Sequence, residues 1–99
     1  MTSNLTDEQT IALLLARFST QRDLFELREL GYGPASEHRR RCQALNDLIE
    51  KVKTESNRRF TRLHQQAVLI QYNRIVELRE EWVNFKSSHP LRVPRFPAH

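Results

Sequence analysis

The chain is short of what a turn-rich β-fold or a cross-linked domain requires. Among 99 residues glycine occurs twice, proline four times and cysteine once. Two glycines are too few for a phosphate-cradling nucleotide loop or for a β-sandwich. The lone Cys42 excludes an intramolecular disulfide and a thiolate zinc cluster, and fits a reducing compartment. No stretch approaches the ~20 apolar residues of a membrane span, and Met1-Thr2-Ser3-Asn4 does not open a secretory signal. Support for catalysis is equally thin. No nucleophile has a recognisable base neighbour, no carboxylate pair stands in an apolar setting, and no cofactor loop exists. His38, His64, His89 and His99 include no i, i+4 pair, so no metal site is expected. No enzyme activity and no cofactor are expected.

What is present is charge. Sixteen Lys and Arg against twelve Asp and Glu give +4, with a sequence pI near 9.8 and 38% apolar residues. The balance describes a small basic binding module with a modest core.

Helical spacing dominates. Thr6 followed by Asp7, Glu8 and Gln9 marks a helix start. Ile11, Leu14, Leu15, Phe18, Phe25 and Leu30 then follow one side, with Leu24 and Leu27 widening the stripe. Gly31-Tyr32-Gly33-Pro34 ends this helix, because glycine supplies the left-handed cap and proline blocks continuation. Ser36 caps a second helix whose apolar side is Leu45, Leu48, Ile49, Val52, Phe60 and Leu63. With no Gly or Pro in Thr54-Glu55-Ser56-Asn57, that helix is predicted to run through to Gln66. A bend or a short turn is expected between His64 and Ala67, ahead of a third set comprising Val68, Leu69, Tyr72, Ile75, Val76, Leu78, Trp82 and Phe85. Trp82, Phe85 and Tyr72 are expected in the core or a dimer interface, and Cys42 partly buried. Glu77, Arg79, Glu80 and Glu81 read as a solvated face. Residues 1–87 therefore form one helical domain. Residues 88–99, with three prolines, form a basic tail without regular structure in which Pro94-Arg95-Phe96-Pro97 is a weak proline-recognition match. The expected fold is all-α: a helical hairpin plus a C-terminal helix, dimerising into an antiparallel four-helix bundle because so small a core leaves one side apolar.

The second helix carries the basic pattern. Arg40, Lys51, Arg58 and Arg62 fall on one side at steps of 11, 7 and 4 residues, together with Asp47, while Arg39, Lys53 and Asn57 flank them. Over Ser36–Gln66 that side would extend about 45 Å at ~1.5 Å per residue, long enough to follow several phosphates of a duplex. A face of this kind also serves simply to solvate a small helical protein, and Asp47 would repel phosphates.

Arg39-Arg40, Leu45, Lys51-Val52-Lys53, Arg58, Thr61, Leu63 and Tyr72 resemble, in gap-free register, the second-helix region of the RNA-silencing suppressors of insect nodaviruses. The resemblance covers Arg39 to Tyr72, about the middle third of the chain. It implies a homodimeric four-helix bundle that lies along double-stranded RNA in the host cytoplasm. The backbone is contacted without reading sequence, which shields the RNA from dicing and from loading into silencing complexes. Carried over by position, Arg40, Lys51 and Arg58 would contact the RNA backbone, within an expected set of Arg39, Arg40, Lys51, Lys53, Asn57, Arg58 and Arg62. The sequence departs from that family at Leu48, where relatives place a small polar or thiol side chain. It also departs after Gln66, where the proline opening the family's last helix is missing and the segment is longer. Two further function classes fit the same residues: a protein-interaction adaptor with a merely solvating basic face, and a small basic DNA-binding accessory protein.

Overall fold

The computed structural model describes residues 5–57 and 61–89, and all regular structure among them is helical. Three helices follow in order: α1 (Asp7–Glu29), α2 (Glu37–Ser56) and α3 (Arg62–Ser88). Their starts are set by short polar side chains. Thr6 and Gln9 form a reciprocal capping box, and the Ser36 hydroxyl accepts from the Arg39 amide at 3.2 Å. Gly31, next after the Leu30 C-cap, ends α1 with φ +88°, the left-handed conformation that a side chain would disfavour.

α2 packs against both neighbours, antiparallel to α1 and to α3, so that α1 and α3 run side by side in the same direction. The described residues form a rod 58 × 24 × 21 Å. One buried cluster joins Leu5 and Leu13 to Leu45, Ile49 and Val52 of α2 and to Val68, Tyr72 and Ile75 of α3. A second, at the turn end, joins Leu27, Cys42 and Trp82, with Leu24, Tyr32 and Phe85 against it. Tyr72 and Trp82 are thus core residues, and Cys42 is buried completely. Its thiol donates to the Thr20 carbonyl at 3.3 Å.

Several sequence expectations require correction. The second helix does not run to Gln66. It stops at Ser56 with Asn57 as C-cap, and α3 opens behind Thr61, whose hydroxyl accepts from the His64 amide. Ser, Asn and Thr side chains can take over backbone groups that glycine or proline would otherwise release, so a polar tetrapeptide suffices to break the helix. The bend or short turn expected at His64–Ala67 is correspondingly absent, since α3 is continuous through it.

The apolar stripe of α1 is also misassigned. Ile11, Leu14, Leu15, Phe18 and Phe25 are exposed, and the buried face is Leu13, Thr20, Asp23 and Leu27. The helix is apolar on two opposite sides, and periodicity alone did not say which of them meets α2 and α3. Leu63, assigned to the second helix's apolar side, is 77% exposed at the start of α3, and Phe60 lies outside the described residues.

Arg79, finally, is not on a solvated face. It reaches inward to α1, donating to Asp23 at 2.7 Å and to the Ser19 hydroxyl. The tail boundary falls within α3 at Ser88, and residues 90–99 lie outside the described residues.

Candidate nucleic-acid interface

The outward face of α2 is set by the burial of the opposite one. With Cys42, Leu45, Ile49 and Val52 inside, positions Arg40, Gln43, Asp47, Lys51 and Thr54 point away from both partner helices, and all five are exposed. Arg40 and Lys51 are eleven residues apart, about 16 Å along the axis. Asp47 lies between them and accepts from the Gln43 amide at 2.8 Å, which holds its negative charge on the same face.

The other expected site residues separate. Arg39 is half-buried and its guanidinium donates to the Tyr32 carbonyl at 3.1 Å, so it fastens the α1–α2 turn. Lys53 sits half-buried on the flank, and Asn57 is the exposed C-cap. Arg62 is exposed but belongs to the first turn of α3, so it does not continue the α2 face. Arg58 lies outside the described residues. The structure therefore brings Arg40 and Lys51 together on one helix face and detaches Arg62 from them.

Pairing distinguishes these cations from the rest. Arg17 is paired with Glu50, Arg41 with Glu37 at 2.7 Å and Arg74 with Glu77 at 3.4 Å, while Arg79 and Lys86 both hold Asp23. Arg40, Lys51, Lys53 and Arg62 have no ion pair among the described residues, nor do Arg22 and Arg28 of α1. Two of the acids on α2, Glu37 and Glu50, are thus already occupied by arginines, and the helix keeps a surplus of uncommitted positive charge. That surplus is visible only once the pairing partners are known.

Sequence reasoning missed the most heavily bonded group. The carboxylate of Asp23, 2% exposed, receives Arg79 at 2.7 Å, the Trp82 indole N–H at 2.9 Å and Lys86 at 3.0 Å. Burial on its own would raise its pKa. The hydrogen bonds from Arg79, Lys86 and Trp82, with the Lys86 charge, outweigh burial and hold the carboxyl below its ordinary value. A signal existed: Arg79, Trp82 and Lys86 recur at steps of three and four on α3, around an indole that needs a buried acceptor. The Cys42 thiol, desolvated and near the Asp23 charge, is pushed up to about 12, so it is neither nucleophile nor ligand at neutral pH.

No protein-family model matches the chain, and no curated protein or solved structure does either. Among the described residues no helix is long and apolar enough to cross a membrane.

Proposed function

We propose that the protein binds double-stranded RNA without reading its sequence, and that it acts as a viral suppressor of RNA silencing by shielding the duplex from dicing and from silencing-complex loading. The observation that carries this reading is the uncommitted Arg40 and Lys51 on the outward face of α2, flanked by Lys53, inside the segment that resembles the nodaviral suppressors. Each phosphate neutralised by such a cation releases counterions, so affinity accrues without base contacts. Shape and backbone recognition suits A-form RNA, whose deep major groove resists side-chain reading. Asp47 limits the face to separated contacts.

One helix face about 16 Å between its cations gives few contacts, and the reading gains from a second copy. Ile11, Leu15, Phe18 and Phe25 are 58, 66, 70 and 63% exposed on the side of α1 opposite the core. Ile11, Phe18 and Phe25 recur at seven-residue steps, as in a helix–helix seam. Pairing of two α1 helices about a two-fold axis perpendicular to them makes the seam antiparallel. It also turns the α2 faces of both copies to the same side, forming a bundle of two hairpins with the α3 helices behind. A parallel pairing would turn the two α2 faces apart. Antiparallel dimerisation is therefore the arrangement that lets two basic faces meet one duplex.

The same exposed stripe supports the adaptor reading, in which α1 meets a different protein. Titrating labelled duplex RNA, duplex DNA and single-stranded RNA of unrelated sequences, at two salt concentrations, separates the readings. Duplex-RNA preference weakened by salt supports the proposal, equal binding of duplex DNA supports the accessory-protein reading, and no binding leaves the adaptor.

A further inference from the structure

A groove of about 670 Å³ opens between α2 and α3 at the turn end of the rod. Its walls include Ala44 and Leu48 of α2 and Leu78 and Phe85 of α3. Its volume is that of a site for a small ligand. The geometry points to an unpaired guanine nucleotide as that ligand, with its base added to a ladder of rings and its phosphate on the arginine side.

Three observations support the assignment. The first is the ladder. Trp82, Phe85 and His89 follow one another along α3 at steps of three and four. The Phe85 ring lies 5.9 Å from Trp82 and 11° from parallel, and the His89 ring lies 4.5 Å from Phe85 and 14° from parallel. The Trp82 end is buried. The His89 end is exposed, lines the groove, and stacks on no second ring among the described residues. A planar base extends such a stack, and a purine adds the larger ring surface.

The second is charge of opposite sign on the two walls. Arg41 stands on the α2 side and Glu81 on the α3 side. Arg41 gives Nη2 to Glu37 and lies 5.1 Å from the Phe85 centroid, which leaves the N–H groups on Nη1 and Nε for an anion. Glu81 is exposed and makes no ion pair among the described residues. An ionised carboxylate only accepts hydrogen bonds. Guanine alone among the bases presents two adjacent N–H donors on its pairing edge. Adenine, cytosine and uracil each set an acceptor beside the donor. A nucleotide with a donor edge and an anionic phosphate therefore matches a groove with a carboxylate on one wall and a guanidinium on the other.

The third is position. Ala44 is one helical turn from Arg40 and one from Leu48, so the groove opens beside the outward face that bears Arg40 and Lys51. A paired guanine has its edge engaged and its faces stacked, so only an unpaired base enters. Duplex binding without sequence reading is unaffected. That the nucleotide belongs to RNA held on α2 rests on the RNA reading, whereas the guanine preference of the groove does not.

Methyl NMR on the full chain, titrated with guanosine 5′-monophosphate, tests the groove without RNA. The Leu48 and Leu78 resonances should move saturably, while Leu13 and Val68, in the other core cluster, stay in place. Guanosine monophosphate should bind about tenfold more tightly than adenosine or cytidine monophosphate, and inorganic phosphate should leave the methyls unmoved. Glu81→Gln should remove that preference at unchanged helicity. Unmoved methyls, equal affinity for the three nucleotides, or a preference that survives Glu81→Gln overturns the proposal. A second arm compares a blunt RNA duplex with one bearing a protruding guanosine. Groove shifts with the protruding end alone make the RNA terminus the source, and shifts with the free nucleotide alone make the free nucleotide the source. Groove shifts without any duplex binding uphold this site and remove the RNA reading. Duplex binding with the groove methyls unmoved by either form of guanine removes this site alone.

Discussion

Arg79 of α3 and Asp23 of α1 meet at 2.7 Å inside the bundle, and the bond between them fastens two helices that otherwise share few contacts. α2 is the centre of the packing, with α1 and α3 each laid against it. The Asp23 carboxylate, taking Arg79, Trp82 and Lys86 at once, adds polar bonds between α1 and α3 beside the cluster of Leu27, Cys42 and Trp82.

Asp23→Asn should therefore destabilise the fold severely. The change keeps the shape but leaves Arg79 and Lys86 without their counter-charge, and breaking a buried pair costs about 3–5 kcal/mol. Urea denaturation followed by helical circular dichroism reads the loss. A change below about 0.5 kcal/mol, ordinary for a surface position, would show that the cluster does not hold α3.

The same residue sets an acid limit. Its folded pKa lies below the ordinary 3.8. The stability it confers is thus complete above the unfolded value and is lost as pH falls through the folded one. Stability of the parent should decline below about pH 4, and Asp23→Asn should flatten that part of the profile. A parallel decline in both proteins would assign the acid sensitivity to other carboxylates.

Cys42 should be inert in the native protein. It is completely buried, its thiol donates to Thr20, and its pKa is pushed up to about 12. Iodoacetamide at pH 8 should leave it unmodified by mass spectrometry until urea unfolds the chain. Prompt alkylation without urea would contradict the packing of the second cluster.

Phe18→Glu places a charge at the centre of the exposed α1 stripe. Sedimentation at micromolar concentration should show the parent as a dimer and the variant as a monomer of unchanged helicity. Phe18 is 70% exposed in the single chain, so the substitution does not disturb the core. A parent that sediments as a monomer would remove the seam from the account.

Much of the fold was legible in the sequence, and for local reasons. The Thr6–Gln9 capping box, the Ser36 cap and the left-handed Gly31 are encoded within four residues of where they act. The α2–α3 break was not, because Ser56 and Asn57 at the end of α2 and the Thr61 cap of α3 are residue types that also occur within helices. Nor could α1 declare which of its two apolar sides is the core, since that choice is made by α2 and α3. The candidate site was half legible. Arg40 and Lys51 share a face as their spacing predicts, but Arg39 is drawn to Tyr32 and Arg62 belongs to another helix. Arg79 illustrates the cost of reading a charge without its partner. It resembles a surface arginine in sequence, and its removal would break the bonds to Asp23 and Ser19 that fasten α3 to α1.

The α2 face is tested most directly by duplex-RNA affinity across a salt series for the parent, Arg40→Ala, Lys51→Ala and Arg74→Ala. Arg74 is the fitting control, an exposed arginine already paired with Glu77. The account predicts that the parent binds duplex RNA in preference to duplex DNA. Arg40→Ala and Lys51→Ala should each weaken binding equally for unrelated sequences and lower the salt slope by about one, with Arg74→Ala close to the parent. Equal losses for all three variants, or no preference for duplex RNA, would contradict it.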